Sequence, residues 1–134
     1  MQRDLVLRWL EQMRLLIARI LRGDRDAGTE LAEAELDQAM AQLLGGAAGL
    51  VQRLDVPSVG MLLSDPDRIY GYAQAVALKA ALVRARGGRP EEAEALADRA
   101  QALAREAYRR SSDPPPEWKA WIEAMEEDRH VLPR

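Results

Sequence analysis

Apolar residues recur along most of this chain at intervals of three and four, the spacing of one face of an α-helix. In residues 5–21 most apolar side chains fall within an arc of about 160°, wider than the stripe that one neighbouring helix covers. This segment therefore predicts a helix that contacts two helices or a second chain. Leu7 and Leu15 lie outside the arc, and they are either isolated surface leucines or a self-association face.

A second helical segment follows the glycine-containing turn at residues 23–28, with Thr29 as its candidate N-cap. Its apolar positions keep helical spacing through the adjacent glycines Gly45 and Gly46. Because glycine destabilises a helix interior, we expect a break or kink there. The apolar stripe expected on this segment consists of Leu36, Met40, Leu43, Ala47, Leu50 and Leu54.

The middle of the chain predicts a helical hairpin. Residues 55–60 contain proline and glycine and are not expected to continue a helix. A new helix is expected to begin with Asp65 as N-cap and Pro66 at its first position, and to run to about residue 86. Its residues are apolar or small almost all round, which indicates a central helix. After two glycines, Pro90 begins a half-solvated helix with the buried stripe Ala93, Leu96, Ala97, Ala100, Leu103, Ala104 and Ala107.

Three consecutive prolines predict a stiff linker at residues 111–116. A short helix is expected over residues 117–130, where Trp118 and Trp121 share a face with two further apolar residues. A helix of this length is marginal alone, so its tryptophans are expected to dock on the body of the protein or on a partner. The expected organisation is one repeat-like helical domain over residues 1–110, the linker, and this docking helix.

Composition supports an all-α protein of five to six helices, because strong helix formers dominate and there is no Phe. The net charge of −3 disfavours nucleic acid as a partner. No uninterrupted apolar run is long enough to span a bilayer, and charged residues interrupt residues 1–22, so neither a membrane partner nor a signal peptide is expected. The absence of Cys fits a reducing compartment, and a cytoplasmic location is expected.

Residues suited to catalysis are scarce. His130 is the single histidine, whereas metal sites normally need three or four protein ligands, so we expect a solvated acidic helix end there. The acidic residues in 30–37 are expected to form a solvated face rather than a catalytic pair. The hydroxyl side chains lie at predicted caps and loops without a nucleophile motif. We therefore expect no enzymatic activity, no cofactor and no metal.

Two segments carry family resemblances. Residues 77–107 resemble a tetratricopeptide hairpin, with the small residue Ala81 in the first helix, Gly88 at the turn, and Ala93 and Ala100 seven apart in the second. Residues 3–13, RDLVLRWLEQM, with ARIL at 18–21, resemble the start of a family of short bacterial all-helical proteins of unknown function. This resemblance covers roughly residues 2–110. It implies helical hairpins in an α-α superhelix or bundle and carries no information about activity.

These observations favour a non-catalytic protein–protein interaction or self-assembly module, whose partner is a protein, a peptide or a second copy in a homodimer. The expected mechanism is recognition of a helix or peptide in a groove beside the 66–86 helix. The alternative is a pocket for a small apolar ligand, lined by Trp9, Met13, Met40, Tyr70 and Tyr72. The candidate partner-binding residues are Leu7, Leu15, Tyr72, Lys79, Arg86, Trp118 and Trp121.

Overall fold

The computed structural model describes residues 28–133, together with five single positions nearer the N-terminus: Arg8, Glu11, Gln12, Leu15 and Ala18. Within these residues the protein is all-α, as predicted, and contains no strand. No helix of the described part has both the length and the apolar character needed to cross a membrane. The helices are α1 (Gly28–Leu44), a 3-10 turn (Gly45–Ala47), α2 (Ala48–Val51), α3 (Val56–Leu63), α4 (Pro66–Ala85), α5 (Pro90–Arg110) and α6 (Pro116–Glu127).

Helix α4 lies at the centre of the fold and packs against α1, α3 and α5. It begins as predicted, with Pro66 in its first turn and the Asp65 carboxylate accepting a hydrogen bond from the Asp67 N–H at 3.0 Å. Proline suits this position because the first N–H groups of a helix have no partner within it. Most of the 20 residues of α4 are buried, including Tyr70 and Tyr72, which confirms the prediction of a central helix.

Helices α4 and α5 form an antiparallel hairpin around a tight turn, in which Gly87 adopts a left-handed φ of 73°. Glycine reaches this conformation without the steric cost that a Cβ atom brings. Helix α5 buries one narrow face, as predicted, and leaves the other in water. The two helices have 20 and 21 residues, which together exceed the length of one tetratricopeptide repeat, about 34 residues. The repeat-like arrangement stays a prediction.

The break predicted at the paired glycines is confirmed, and it changes which residues face the core. Gly45 has a positive φ of 58° and begins the 3-10 turn between α1 and α2. After this turn the helical phase is different, so that Val51 is fully buried while Leu50 is 50% exposed. The expected stripe was therefore wrong at Leu50. Helix α1 begins at Gly28, so Thr29 lies inside it and is not its N-cap.

Residues 56–63 form a separate helix, α3, which the sequence pattern did not predict. Residues 55–60 do not continue α2, which ends at Val51, as expected. The Asp55 carboxylate accepts a hydrogen bond from the Ser58 N–H at 2.8 Å and caps the helix. A hydrogen bond with the Ser58 side chain and this backbone bond hold the pKa of Asp55 below its usual value. Pro57 lies in the first turn, where a missing N–H costs nothing. Gly60 is buried beneath Arg110, whose Nε would lie 2.6 Å from a Cβ at this position. Pro57 and Gly60 are therefore compatible with this helix and do not end it.

Helix α6 begins at Pro116 and ends at Glu127, three residues before the predicted end. Residues 128–133, here called the C-terminal tail, fold back along the protein. The Trp121 Nε1–H donates a hydrogen bond of 2.9 Å to the Val131 carbonyl, and Pro133 is buried. The tail thus belongs to the folded body.

Candidate functional site

The aromatic residues predicted to bind a partner lie inside this chain. Trp118 and Trp121 are each 4% exposed, and Tyr72 is 1% exposed. The Trp118 ring stacks on Tyr70 of α4 with centroids 4.2 Å apart, and Trp121 meets the same ring edge-on at 5.6 Å. This aromatic cluster docks α6 on the body of the protein. Because their own chain covers Tyr72, Trp118 and Trp121, these side chains form no exposed partner surface in this structure.

The buried phenol of Tyr70 has a perturbed acidity. Burial raises its pKa well above the usual value, the negative charge of Glu117 raises it further, and a hydrogen bond with Gln74 opposes the shift. The neutral phenol is the form that an apolar environment favours. Tyr70 is therefore a neutral core residue at physiological pH.

The other predicted partner-binding residues are dispersed. Leu15 is helical and 59% exposed, and it shares its exposed face with polar residues including Arg8 and Gln12, which is typical of an isolated surface leucine. Leu7 lies outside the described residues. Lys79 is half-buried on α4, and Arg86 is 3.1 Å from the Glu33 carboxylate and 3.8 Å from that of Glu92. The structure does not bring Leu15, Lys79 or Arg86 together with the aromatic cluster.

Neither predicted cleft is open in the described residues. The groove expected beside α4 is occupied by α1, α3 and α5 of the same chain. Of the residues expected to line an apolar pocket, Met40, Tyr70 and Tyr72 are core side chains no more than 4% exposed. The other two, Trp9 and Met13, lie outside the described residues.

Helix α3 exposes apolar side chains that sequence reasoning missed. Its sequence, VPSVGMLL, contains no charged residue. Val59, Gly60 and Leu63 are buried, whereas Met61 is 74% exposed and Leu62 is 43% exposed. Met61 lies one helical turn from the exposed Pro57. Pro57, Met61 and Leu62 are here called the α3 face. The sequence signal that could have revealed this helix is an N-cap Asp two residues before a Pro, followed by a run of uncharged residues.

Arg99 of α5 anchors the segment that leads into α3. Its guanidinium donates hydrogen bonds to the Leu54 carbonyl at 2.9 Å and to the Val51 carbonyl at 2.7 Å. The same group lies 5.9 Å from the centre of the Tyr72 ring, within the range of a cation–π interaction. One arginine thus joins the end of α2 to α5 and fixes where α3 begins.

A buried carboxylate lies near the other side of α3. Glu106 is 6% exposed, and it is paired with Arg109 and, at 3.7 Å, with the Nε of Arg110. Buried charges of this kind are stable when they are paired. Because Arg110 also covers Gly60, the pair holds α3 against α5. We interpret Glu106 as structural rather than catalytic.

His130 contributes to the attachment of the tail. Its Nε2 is 3.1 Å from the Glu94 carboxylate, and Arg129 is 3.3 Å from Glu94 and 3.2 Å from Asp98. The hydrogen bond from His130, aided by the positive charge of Arg129, holds the pKa of Glu94 below its usual value. Residues 28–133 contain no group of three or more side chains that could hold a metal ion.

Comparison with known proteins found no match: no family model, curated protein or solved structure matches this chain. The resemblances to tetratricopeptide hairpins and to short bacterial helical proteins therefore stay predictions. What the described residues define is an all-α protein with an exposed, uncharged helix face.

Proposed function

We propose that this chain is a non-catalytic protein-interaction module that self-associates through the α3 face. The observation that carries the proposal is the exposure of Met61 and Leu62 on a helix without any charged residue. In a chain with 31% charged residues, a largely apolar helix without any charge is normally buried. Exposed apolar patches of this kind are typical of interaction sites.

The occupant proposed for the α3 face is a second copy of the same chain. A two-fold contact brings the same face of each copy together, so apolar side chains meet apolar side chains, and an uncharged face meets its copy without charge repulsion. The charged residues nearest to the face along the chain, Asp55 and Asp65, lie outside the helix, one before α3 and one after it. Methionine supports such a contact because its flexible side chain adapts to the surface it meets.

The size of the face sets the expected affinity. An eight-residue helix is about 12 Å long. Stable interfaces bury about 800 Å² on each partner, which three exposed side chains do not provide. We therefore expect weak self-association, with a Kd between about 10 μM and 1 mM. A cytoplasmic location, for which the absence of Cys is the support, is part of the same proposal.

Sedimentation velocity across about 1 μM to 1 mM protein covers this range of affinity and tests the proposal. The test variant is Met61→Lys, which places a charge on the α3 face. The matched control is Ala95→Lys, which adds the same charge at an exposed position of α5, about 22 Å along the helix from Arg110. We expect the wild type and Ala95→Lys to associate as concentration rises, and Met61→Lys to stay monomeric.

Two results would overturn the proposal. One is a wild-type protein that stays monomeric at the highest concentration. The other is a Met61→Lys variant that associates as strongly as the wild type, which would place the contact elsewhere. Leu62→Lys repeats the test on the same face, and circular dichroism shows whether each variant keeps its helical content.

A further inference from the structure

A groove with a volume of about 300 Å³ lies between α6 and the C-terminal tail. This volume is at the lower end of the range for small-molecule sites. The α6 residues that line it are spaced three and four apart and so share one face of the helix. The lining residues are Glu117, Ala120, Trp121 and Ala124 of α6, and Val131 and Leu132 of the tail.

Small side chains create this space, and fixed contacts keep it open. Ala120 and Ala124 lie one turn apart and leave room where larger residues would fill the groove. The tail that forms the opposite wall is attached through the Trp121–Val131 hydrogen bond, the contact between His130 and Glu94, and the ion pairs of Arg129 with Glu94 and Asp98. Both walls are therefore in place before a ligand binds, which lowers the entropic cost of binding.

Among the residues that the structure describes, the one charged side chain that lines the groove is acidic. Two other acidic residues of α6 have partners: Glu126 is 3.1 Å from Arg105, and Glu123 is 4.0 Å from Lys119. Glu117 has no ion pair within the described residues. Its negative charge thus stands at one end of an apolar groove, in a chain whose net charge is −3.

We propose that this groove binds a small organic cation with an apolar body, such as an alkylammonium or arylammonium compound. The apolar body packs between Trp121 and Ala124 on one side and Leu132 on the other. The ammonium group lies beside the Glu117 carboxylate. This site is separate from the α3 face, so either proposal can fail without the other.

The test is an NMR titration of the full-length protein with three probes of equal chain length: n-octylammonium, n-octyl sulfate and n-octanol. Trp121 lines the groove, so its indole N–H signal reports binding there, whereas the indole of Trp118, which does not line the groove, serves as the internal reference. We expect saturable shifts of the Trp121 signal with n-octylammonium and weaker binding of the other two probes.

Substitutions separate recognition of the charge from filling of the groove. Glu117→Gln is expected to weaken n-octylammonium binding about fivefold, the effect of one partly exposed ion pair, and to leave n-octanol binding unchanged. Glu127→Gln removes an exposed acidic residue of α6 that does not line the groove, and it should bind as the wild type does. Ala124→Leu should abolish binding of all three probes, and Ala120→Leu, at a more exposed position, repeats this test if Ala124→Leu fails to fold.

The proposal is overturned by any of three results: no saturable shift of Trp121, equal affinity for n-octylammonium and n-octyl sulfate, or binding that survives Ala120→Leu unchanged. Selective loss on Glu117→Gln but not on Glu127→Gln would support it. The wild-type spectrum provides the check that each variant is folded.

Discussion

The indole ring of Trp118 lies flat against the phenol ring of Tyr70, with the two planes 7° from parallel. This contact joins α6 to the central helix α4, and Trp121 meets the same phenol ring edge-on. Met125, on the same face of α6, is fully buried. The proline segment before α6 therefore leads the chain back onto its own core, and α6 completes the fold.

Trp118→Ala is expected to lower the free energy of unfolding by about 3–5 kcal/mol. It removes a large buried ring together with its stacking contact with Tyr70, and it leaves a cavity. Urea denaturation measures the change. The control is Lys119→Ala, next to it on α6 with an exposed side chain, which should change stability by less than about 0.5 kcal/mol. Equal stability of the two variants would show that the docking of α6 contributes little.

Tyr70→Phe is expected to make the protein less sensitive to alkaline pH. Burial raises the pKa of Tyr70 above its unfolded value of 10.0, so above pH 10.0 the unfolded chain loses this proton while the folded chain keeps it. The resulting stability is present below that pH and is lost as the pH rises. Phe has no proton to lose, so the variant should lose less stability than the wild type between about pH 9 and pH 11.

The slope with pH, rather than the absolute stability, is the quantity to compare for Tyr70→Phe. The substitution also removes the hydrogen bond with Gln74, which is expected to cost about 1 kcal/mol at neutral pH. Urea unfolding at several pH values gives both quantities. Parallel curves for the two proteins above pH 10.0 would contradict the prediction.

Arg99→Ala is expected to destabilise the protein by about 2–4 kcal/mol, because the Leu54 and Val51 carbonyls lose a charged donor. Arg99→Lys should restore only part of this loss, since one ammonium group does not reproduce the two-pronged geometry of a guanidinium. Arg105→Ala removes an exposed arginine of the same helix and serves as the control. Thermal unfolding compares the three, and full rescue by lysine would show that charge alone matters.

Local sequence signals predicted the α4–α5 hairpin and the glycine break. Pro66 and Pro90 each begin a helix, and the interval between buried residues in α5 is regular, so neighbouring residues suffice to locate these elements. Helix α3 was missed because Pro57 and Gly60 usually end helices. Here Asp55 caps the helix, and Gly60 provides the space that Arg110 occupies, so both residues are compatible with a helix. The contact with Arg110 depends on a residue far along the chain, which local sequence does not reveal.

The candidate sites were harder to predict than the fold. A stripe containing Trp118 and Trp121 fits a core and a partner interface equally well, because both bury aromatic rings. Which one applies depends on where Tyr70 lies in space, and local sequence carries no such information. The roles of Arg99 and Glu106 likewise depend on packing between helices. The groove beside α6 forms only because the tail folds back, a long-range contact without a local signal.

Gly45→Ala and Gly46→Ala are expected to change stability in opposite directions. Gly45 has a φ of 58°, where a Cβ atom costs about 1–2 kcal/mol, so alanine should destabilise the protein. Gly46 has no positive φ and open space around it, so alanine should stabilise the protein by about 0.4–1 kcal/mol by restricting the unfolded chain. Thermal unfolding of the two variants checks this, and shifts of the same sign would contradict the assigned turn.

Glu94→Gln is expected to reduce the loss of stability in acid. The hydrogen bond from His130 holds the pKa of Glu94 below its usual value of 4.5. A carboxylate of this kind contributes stability above its unfolded pKa and loses it as the pH falls through the lower, folded value. The melting temperature of the wild type should therefore fall more steeply below pH 4.5 than that of Glu94→Gln. Glu91→Gln, in the first turn of the same helix, controls for removal of one acidic residue. If Glu94→Gln instead follows the wild-type curve in acid, the Glu94 carboxylate contributes little to the attachment of the tail, and the prediction is wrong.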